Sequence, residues 1–245
     1  MLNHLSIGGK MSINVYWACA EKEWARAEKP VSISKRFYDL HKFDPSEKST
    51  PIKCPAVVPE LNNLFGLKSL YTYEFSIKND KVDSTLYDQE FYDKHVIIRD
   101  LEKKLFSFTQ NYILFTDKES LEVTVQIPPY FENSDLSKNT FSLPGTMDIG
   151  KWFRKLDHSF YLKDNVNSFN IKEGDIFYYI KFHTDEKINF KQFMVTDKIN
   201  TFHDHLTSST VNRSLKHRKL NEFYQAFRYK DKVLKEIKDN LLDDR

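Results

Sequence analysis

The chain has 245 residues, 40% of them hydrophobic and 15% aromatic, enough to bury one sizeable core or two modest ones. Its 37 basic and 35 acidic residues leave a formal charge of +2, which excludes a whole-molecule field able to draw it onto nucleic acid or an anionic membrane. The two cysteines, Cys19 and Cys54, lie in unrelated contexts, which argues against a disulfide framework or a zinc module and fits a reduced compartment.

The segment Met1 to Lys10 shows none of the regions of a signal peptide and reads as an extension, with one domain following over 11–245. No apolar run approaches the roughly 18 residues of a membrane-spanning helix. Residues 13 to 19 read as a buried strand. Glu21 to Glu28, rich in Ala and Glu and stopped by Pro30, reads as a short helix, and Arg36 to Lys42 as a further helical turn. From Phe43 to Pro59, prolines and the absence of periodicity mark a loop region.

The β core spans about 71–196. Tyr71, Tyr73, Phe75 and Ile77 alternate with polar residues as in a half-buried strand, and Val96 to Ile98 is a short buried one. Two stretches then spell nearly the same hairpin. Phe106 to Phe115 runs through Thr116-Asp117 into Leu121 to Ile127, and Ile176 to Phe182 runs through His183-Thr184-Asp185 into Ile188 to Val195. Pro128-Pro129 ends the first, and the turn Glu173-Gly174-Asp175 opens the second. His158 to Lys163 is another strand. A change of phase between Phe190 and Phe193 predicts a bulge near Gln192. The region 198–243 is helical. Asn200 to Leu206 forms a short helix, and Leu220, Phe223, Tyr224, Phe227, Leu234, Ile237 and Leu241 fall on one stripe of a long helix that covers a sheet face or meets a partner. The fold class is therefore α+β, an antiparallel β-sandwich or open barrel with short N-terminal helices and a long C-terminal helix packed on the sheet.

Three patterns could carry chemistry. His183 and Asp185 spell His-x-Asp at a strand end, and with His203 or His205 they would supply the two imidazoles and one carboxylate that hold Fe(II) in oxygenases. Thr116-Asp117, which lacks the histidine, sits in the twin turn and shows that Thr-Asp satisfies a turn without any metal. His203 and His205, two residues apart, would converge on a strand and diverge on a helix. Arg213, Lys216, Arg218 and Lys219 open a basic segment with Tyr224 and Tyr229 nearby, the makings of a nucleic-acid contact, although interspersed acids favour a solvated helix face. No nucleophile elbow, phosphate-binding glycine loop or zinc-protease motif appears, and Asp117 with Asp185 would form a glycosidase pair only if the two turns met.

The runs Tyr16-Trp17-Ala18-Cys19, Trp24 to Pro30, Cys54-Pro55-Ala56 to Leu67-Lys68-Ser69, Gly150 to Arg154 and Phe182 to Asp185 resemble an uncharacterised family of T4-like marine phages, cyanophages among them, over Met11 to the C-terminus. The order of features is also similar to that of a bacterial domain of unknown function. The resemblance implies phage origin, a host bacterial cytoplasm or virion location, and a role in virion assembly or host takeover. It assigns no site residue. The expectation is a non-enzymatic protein-binding factor without metal or cofactor, whose partner is a phage or host protein. The alternatives are the Fe(II) oxygenase of His183, Asp185, His203 and His205, and nucleic-acid binding through Arg213 to Lys219.

Overall fold

The structure, a computed structural model, describes residues 12–19, 27–41, 54–78, 81–84, 86–126, 128, 134–211, 224 and 227–242. The extension Met1 to Lys10 and most of the helix expected over Glu21 to Glu28 lie outside them. The protein is α+β and sheet-rich, and no described helix is long and apolar enough to cross a membrane.

One layer is a six-stranded sheet. It contains β1 (Ser12–Cys19), β6 (Val96–Asp100), β7 (Leu105–Thr116), β9 (Thr140–Leu143), β11 (Lys155–Leu162) and β14 (Lys187–Gln192), ordered β14-β1-β7-β11-β9, with β6 beside the first half of β7. The facing layer has two parts. A five-stranded sheet joins β2 (Val31–Ser32), β3 (Leu64–Lys68), β8 (Glu122–Gln126), β10 (Gly145–Asp148) and β13 (Ile176–Phe182) in the order β10-β8-β13-β3-β2. A three-stranded sheet joins β4 (Tyr73–Lys78), β5 (Lys81–Asp83) and β12 (Ser168–Ile171) in the order β12-β4-β5. Between the layers lies an aromatic core. Phe108 of β7 packs 5.6 Å from Phe169 of β12 and 5.0 Å from Phe177 of β13, and the buried Tyr178 hydroxyl donates to the Phe108 carbonyl.

Neither expected hairpin forms. β7 lies in the six-stranded sheet and β8 in the five-stranded one, so the Thr116-Asp117 turn is an arch that carries the chain between layers. The second turn does the reverse, from β13 to β14. A consequence follows from direction alone. β8 leaves the arch end and β13 returns to it antiparallel, so β14 must leave that end again, as β1 does; β1 and β14 therefore pair in parallel, Ser12 with Lys187 through Trp17 with Gln192. It is the one parallel pair among the described strands.

The two arches lie side by side, joined by a Lys118–Glu186 ion pair and by the His183 amide donating to the Glu122 carbonyl at 3.0 Å. Both are closed by threonine: Thr116 Oγ1 accepts from the Lys118 amide at 3.3 Å, and Thr184 Oγ1 from the Glu186 amide at 3.2 Å. Asp148, buried at the end of β10, accepts from the amides of Leu121 and Gly150 and from the Ser120 hydroxyl, and pairs with Lys151 at 3.0 Å.

The bulge expected near Gln192 is not there. The β1–β14 register is unbroken, and Phe193 changes face by ordinary alternation because both faces of this edge are covered. The bulge lies instead at Phe177, where the β13–β3 register shifts, so that Phe177 and Tyr178 both enter the core while Ile176 turns to the outer face.

Six described helices flank the sheets. α1 (Ile33–His41) and α2 (Val57–Leu61) cover Ile176 and Tyr179 on the outer face of the five-stranded sheet, and α2 and β3 stand in a stretch read as loop or left unread. α3 (Gln89–His95) and α4 (Asp135–Asn139) connect strands. α5 (Asp197–Val211) and α6 (Lys230–Asp239) lay Ile199, Val233 and Ile237 on Tyr16, Ala18, Ile113 and Phe115, the outer face of the six-stranded sheet. The expected long C-terminal helix is thus a ten-residue one on the sheet. Residues 227–229 are not helical: Phe227 turns onto Phe115, 5.8 Å away, and Tyr229 caps the helix that follows. Leu220 and Phe223 lie outside the described residues.

Candidate binding groove on the three-stranded sheet

The alternation that buries Tyr73 and Phe75 of β4, and Phe169 and Ile171 of β12, sends Glu74, Ser76, Ser168 and Asn170 outward. Register sets them in rows. Ser168, Ser76 and Asp83 face one another across the three strands, and Asn170 lies opposite Glu74. α4 adds a wall. Ser134 caps it by accepting from the Ser137 amide, and Asp135 clips it to the sheet, one carboxylate oxygen accepting from the Asn170 amide at 2.7 Å. Ser84 closes the other side, its hydroxyl donating to the Glu74 carbonyl and lying 2.6 Å from the Tyr92 hydroxyl.

The result is a groove of about 290 Å³ lined by Glu74, Asp83, Asp135, Ser76, Ser84, Ser168 and Asn170, with the backbone of Phe75 and Phe169 as floor. Three carboxylates stand in it, and among the described residues its lining holds no lysine or arginine. Like charges in a concavity reinforce one another's potential, so this surface attracts an ammonium or guanidinium group with hydroxyls and an amide at hand to share its N–H donors. Sequence reading placed Glu74 and Ser76 on the solvent side of a strand. It missed Asp83, Asp135 and Asn170, although the alternation Ser168-Phe169-Asn170-Ile171 and the Ser134-Asp135 helix start were both signals.

The expected metal ligands are not gathered. His183 is exposed in the second arch, and its Nε2 lies 2.7 Å from Thr124 Oγ1, which in turn lies 2.8 Å from Thr146 Oγ1. His203 and His205 stand on α5, where helical spacing divides them: His203 is buried beside Asp204, Nδ1 to Oδ1 3.1 Å, and His205 is exposed. Burial holds His203 below the usual imidazole range, with Lys155 and Arg154 adding to the effect and Asp204 opposing it. No group of three metal-ligating side chains forms among the described residues. Asp185 is exposed, whereas Asp117 accepts from the Tyr16 hydroxyl at 3.0 Å and pairs with Lys238 at 3.3 Å, so the two aspartates do different work. Burial and Asp117 together push Tyr16 up to about 12. Arg213, Lys216, Arg218 and Lys219 lie outside the described residues. Of the cysteines, Cys19 is buried and Cys54 is exposed just before α2.

Compared with models of known protein families the chain matches none, and it has no significant match among curated proteins.

Proposed function

We propose that this chain is a non-enzymatic protein-binding factor of a phage, acting in the host bacterial cytoplasm or in virion assembly, and that its groove holds a lysine- or arginine-bearing segment of its partner. The observation that carries the reading is the concentration of Glu74, Asp83 and Asp135 in one concavity, with no lysine or arginine among its described lining residues, in a chain whose charges otherwise nearly cancel. Binding rather than turnover is favoured by how the hydroxyls are used. Ser84 is engaged by a carbonyl and a tyrosine, and Ser76 Oγ reaches the Asp83 carbonyl at 3.5 Å, so neither is oriented by a base.

The test is recovery of partners from infected-cell lysate by the tagged chain, beside the variant Glu74→Gln with Asp83→Asn. The strands here pair through their backbone and both side chains are exposed, so the variant is expected to fold. The expected outcome is one stoichiometric partner bound by the parent, weakened roughly tenfold or more in the variant and released by salt, as screened charge pairs are. A partner held equally by both proteins, or turnover of a small molecule with none recovered, overturns the reading.

A further inference from the structure

We infer that the half of the six-stranded sheet's outer face that α5 and α6 leave bare is a stacking platform for single-stranded nucleic acid. Those helices lie on β1 and on the second half of β7. Over the first half of β7, β11 and β9, the alternation that buries Phe106, Phe108, Phe160 and Leu162 in the core sends the intervening side chains outward. Register sets them in rows. Tyr161 of β11 stands beside Phe141 of β9, and in the next row Ser107 and Ser159 lead to Leu143. Phe141 is 61% exposed and Leu143 42%, so the rings and apolar surface here face solvent.

Two cations belong to this face. Arg99 sits at the register shift of β6, and its Nε donates to Ser107 Oγ at 3.2 Å, which lays the side chain along the sheet. Ser107 Oγ is in turn 2.6 Å from Ser159 Oγ. At the other end Lys163 Nζ lies over the Phe141 ring, 5.6 Å from its centre. Neither Arg99 nor Lys163 pairs with a carboxylate among the described residues. The acids of these strands are already held, Asp100 by Lys103 at 3.2 Å and Asp157 by Arg154 at 2.8 Å. The surplus charge of the face is therefore positive, although that of the whole chain is only +2.

Rings and cations together select the occupant. Positive charge asks for an anion, and exposed rings on neighbouring strands ask for flat groups to stack on them. A nucleotide chain carries both in every residue, a phosphate and a base, whereas a run of acidic side chains meets the cations and leaves the rings bare. An anionic membrane fits apolar side chains that stand beyond the cations, as on an interfacial helix. Here the order is different. The guanidinium is tied to a serine on the sheet and the ammonium lies over the ring, so the charges stand level with the aromatic groups, where phosphates flanking a stacked base would meet them. The platform lies on the opposite layer from the acidic groove, and it stands whether or not a basic segment binds there.

Fluorescence anisotropy of a labelled oligothymidylate, repeated with oligouridylate over a salt series, tests it. Both are expected to bind, with affinity falling as salt rises. Phe141→Ala is expected to weaken binding about tenfold and Phe141→Trp to preserve it, since a base stacks on either ring. Arg99→Gln is expected to weaken binding and to flatten the log–log salt slope by about 0.7, the share of one phosphate contact on a single strand. Phe141 and Arg99 are exposed, so these variants are expected to melt as the parent does. Val58→Ser, at an exposed apolar position on α2 over the other layer, is expected to change nothing. Failure to bind either oligonucleotide, or binding that Phe141→Ala leaves intact, overturns the inference. So does equal binding of a duplex, of poly-glutamate or of vesicles rich in phosphatidylglycerol, since each of these offers anions without accessible bases.

Discussion

Two buried titratable residues, His158 and Asp148, contribute to how the molecule responds to acid. Burial pushes His158 down to about 4, so the folded protein refuses a proton that the unfolded chain accepts below the ordinary value near 6.5. Stability should therefore decline as pH falls from about 6.5 to about 4, by up to about 3 kcal/mol, and level off below that. Denaturant unfolding at a series of pH values should show this slope in the parent and a shallower one in His158→Leu, the remainder coming from the buried His203; an unchanged slope would assign it elsewhere. Asp148 acts in the same direction, over a more acidic range. Burial alone would raise its carboxyl, but hydrogen bonds from Ser120, the Leu121 amide, Lys151 and the Gly150 amide outweigh it and hold the group below the usual carboxylate value. Its contribution is present above the unfolded carboxylate range and is lost as pH drops through the folded value. Asp148→Ala leaves two amides without their acceptor at the joint of the arches, and we expect it to cost about 2–4 kcal/mol at neutral pH, measured by the same unfolding titration. Neither residue was legible as a functional position in the sequence, because what matters in each is burial between strands far apart along the chain.

The arches show where local pattern stops determining structure. A Thr-Asp turn between two apolar strands reads the same whether the strands pair with each other or separate into two sheets, since turn bonding and period-two alternation are both local. One signal did distinguish them. Strands of a hairpin share their two faces, yet Tyr112 to Phe115 is apolar at every position while Leu121 to Gln126 alternates, so one is buried on both sides and the other on one. The helices α5 and α6 explain the difference, covering Ile113 and Phe115 but not the outer face of β8. The single strands at 13–19, 71–77 and 176–182 were legible because alternation or continuous apolarity fixed them without reference to a partner. The arch also predicts its own weak point. A Cβ placed on Gly150 would stand 2.7 Å from the Lys118 carbonyl and 2.9 Å from that of Glu119, backbone atoms that cannot move aside without opening the first arch. At Gly66 it would meet the Cγ2 methyl of Ile176 and the Cδ1 methyl of Ile33, both at 2.9 Å, side-chain atoms whose shift does not break a backbone turn. Gly150→Ala is therefore expected to lower stability by about 1–3 kcal/mol and Gly66→Ala by less, a ranking that thermal melts of the two variants can reverse or uphold.

At the scale of the whole molecule, the six-stranded sheet is covered unequally, and the C-terminal segment is what makes one half of its outer face interior. Val233 and Ile237 of α6 are fully buried on Tyr16, Ala18, Ile113 and Phe115, while Lys230 donates to the Lys118 carbonyl and Lys238 reaches Asp117, so this helix is fastened to the sheet and to the first arch together. Its own composition would not hold it in place, for ten residues are too few to be helical in water without a packed face. Each buried aliphatic side chain should be worth about 2–4 kcal/mol against alanine, so Ile237→Ala should be destabilised by that amount yet remain cooperative in unfolding. Deleting 227–242 is a different perturbation. It uncovers Tyr16, Ala18, Ile113 and Phe115 and also strips the bridge from the end of β14, leaving an apolar face beside an unprotected strand edge. The shortened chain should bind a hydrophobic dye and aggregate, while the point variant should do neither below its melting temperature. Equal behaviour of the two would mean that α6 contributes packing alone, and that the bridge at Phe193 and Leu241 has no part in keeping this edge closed.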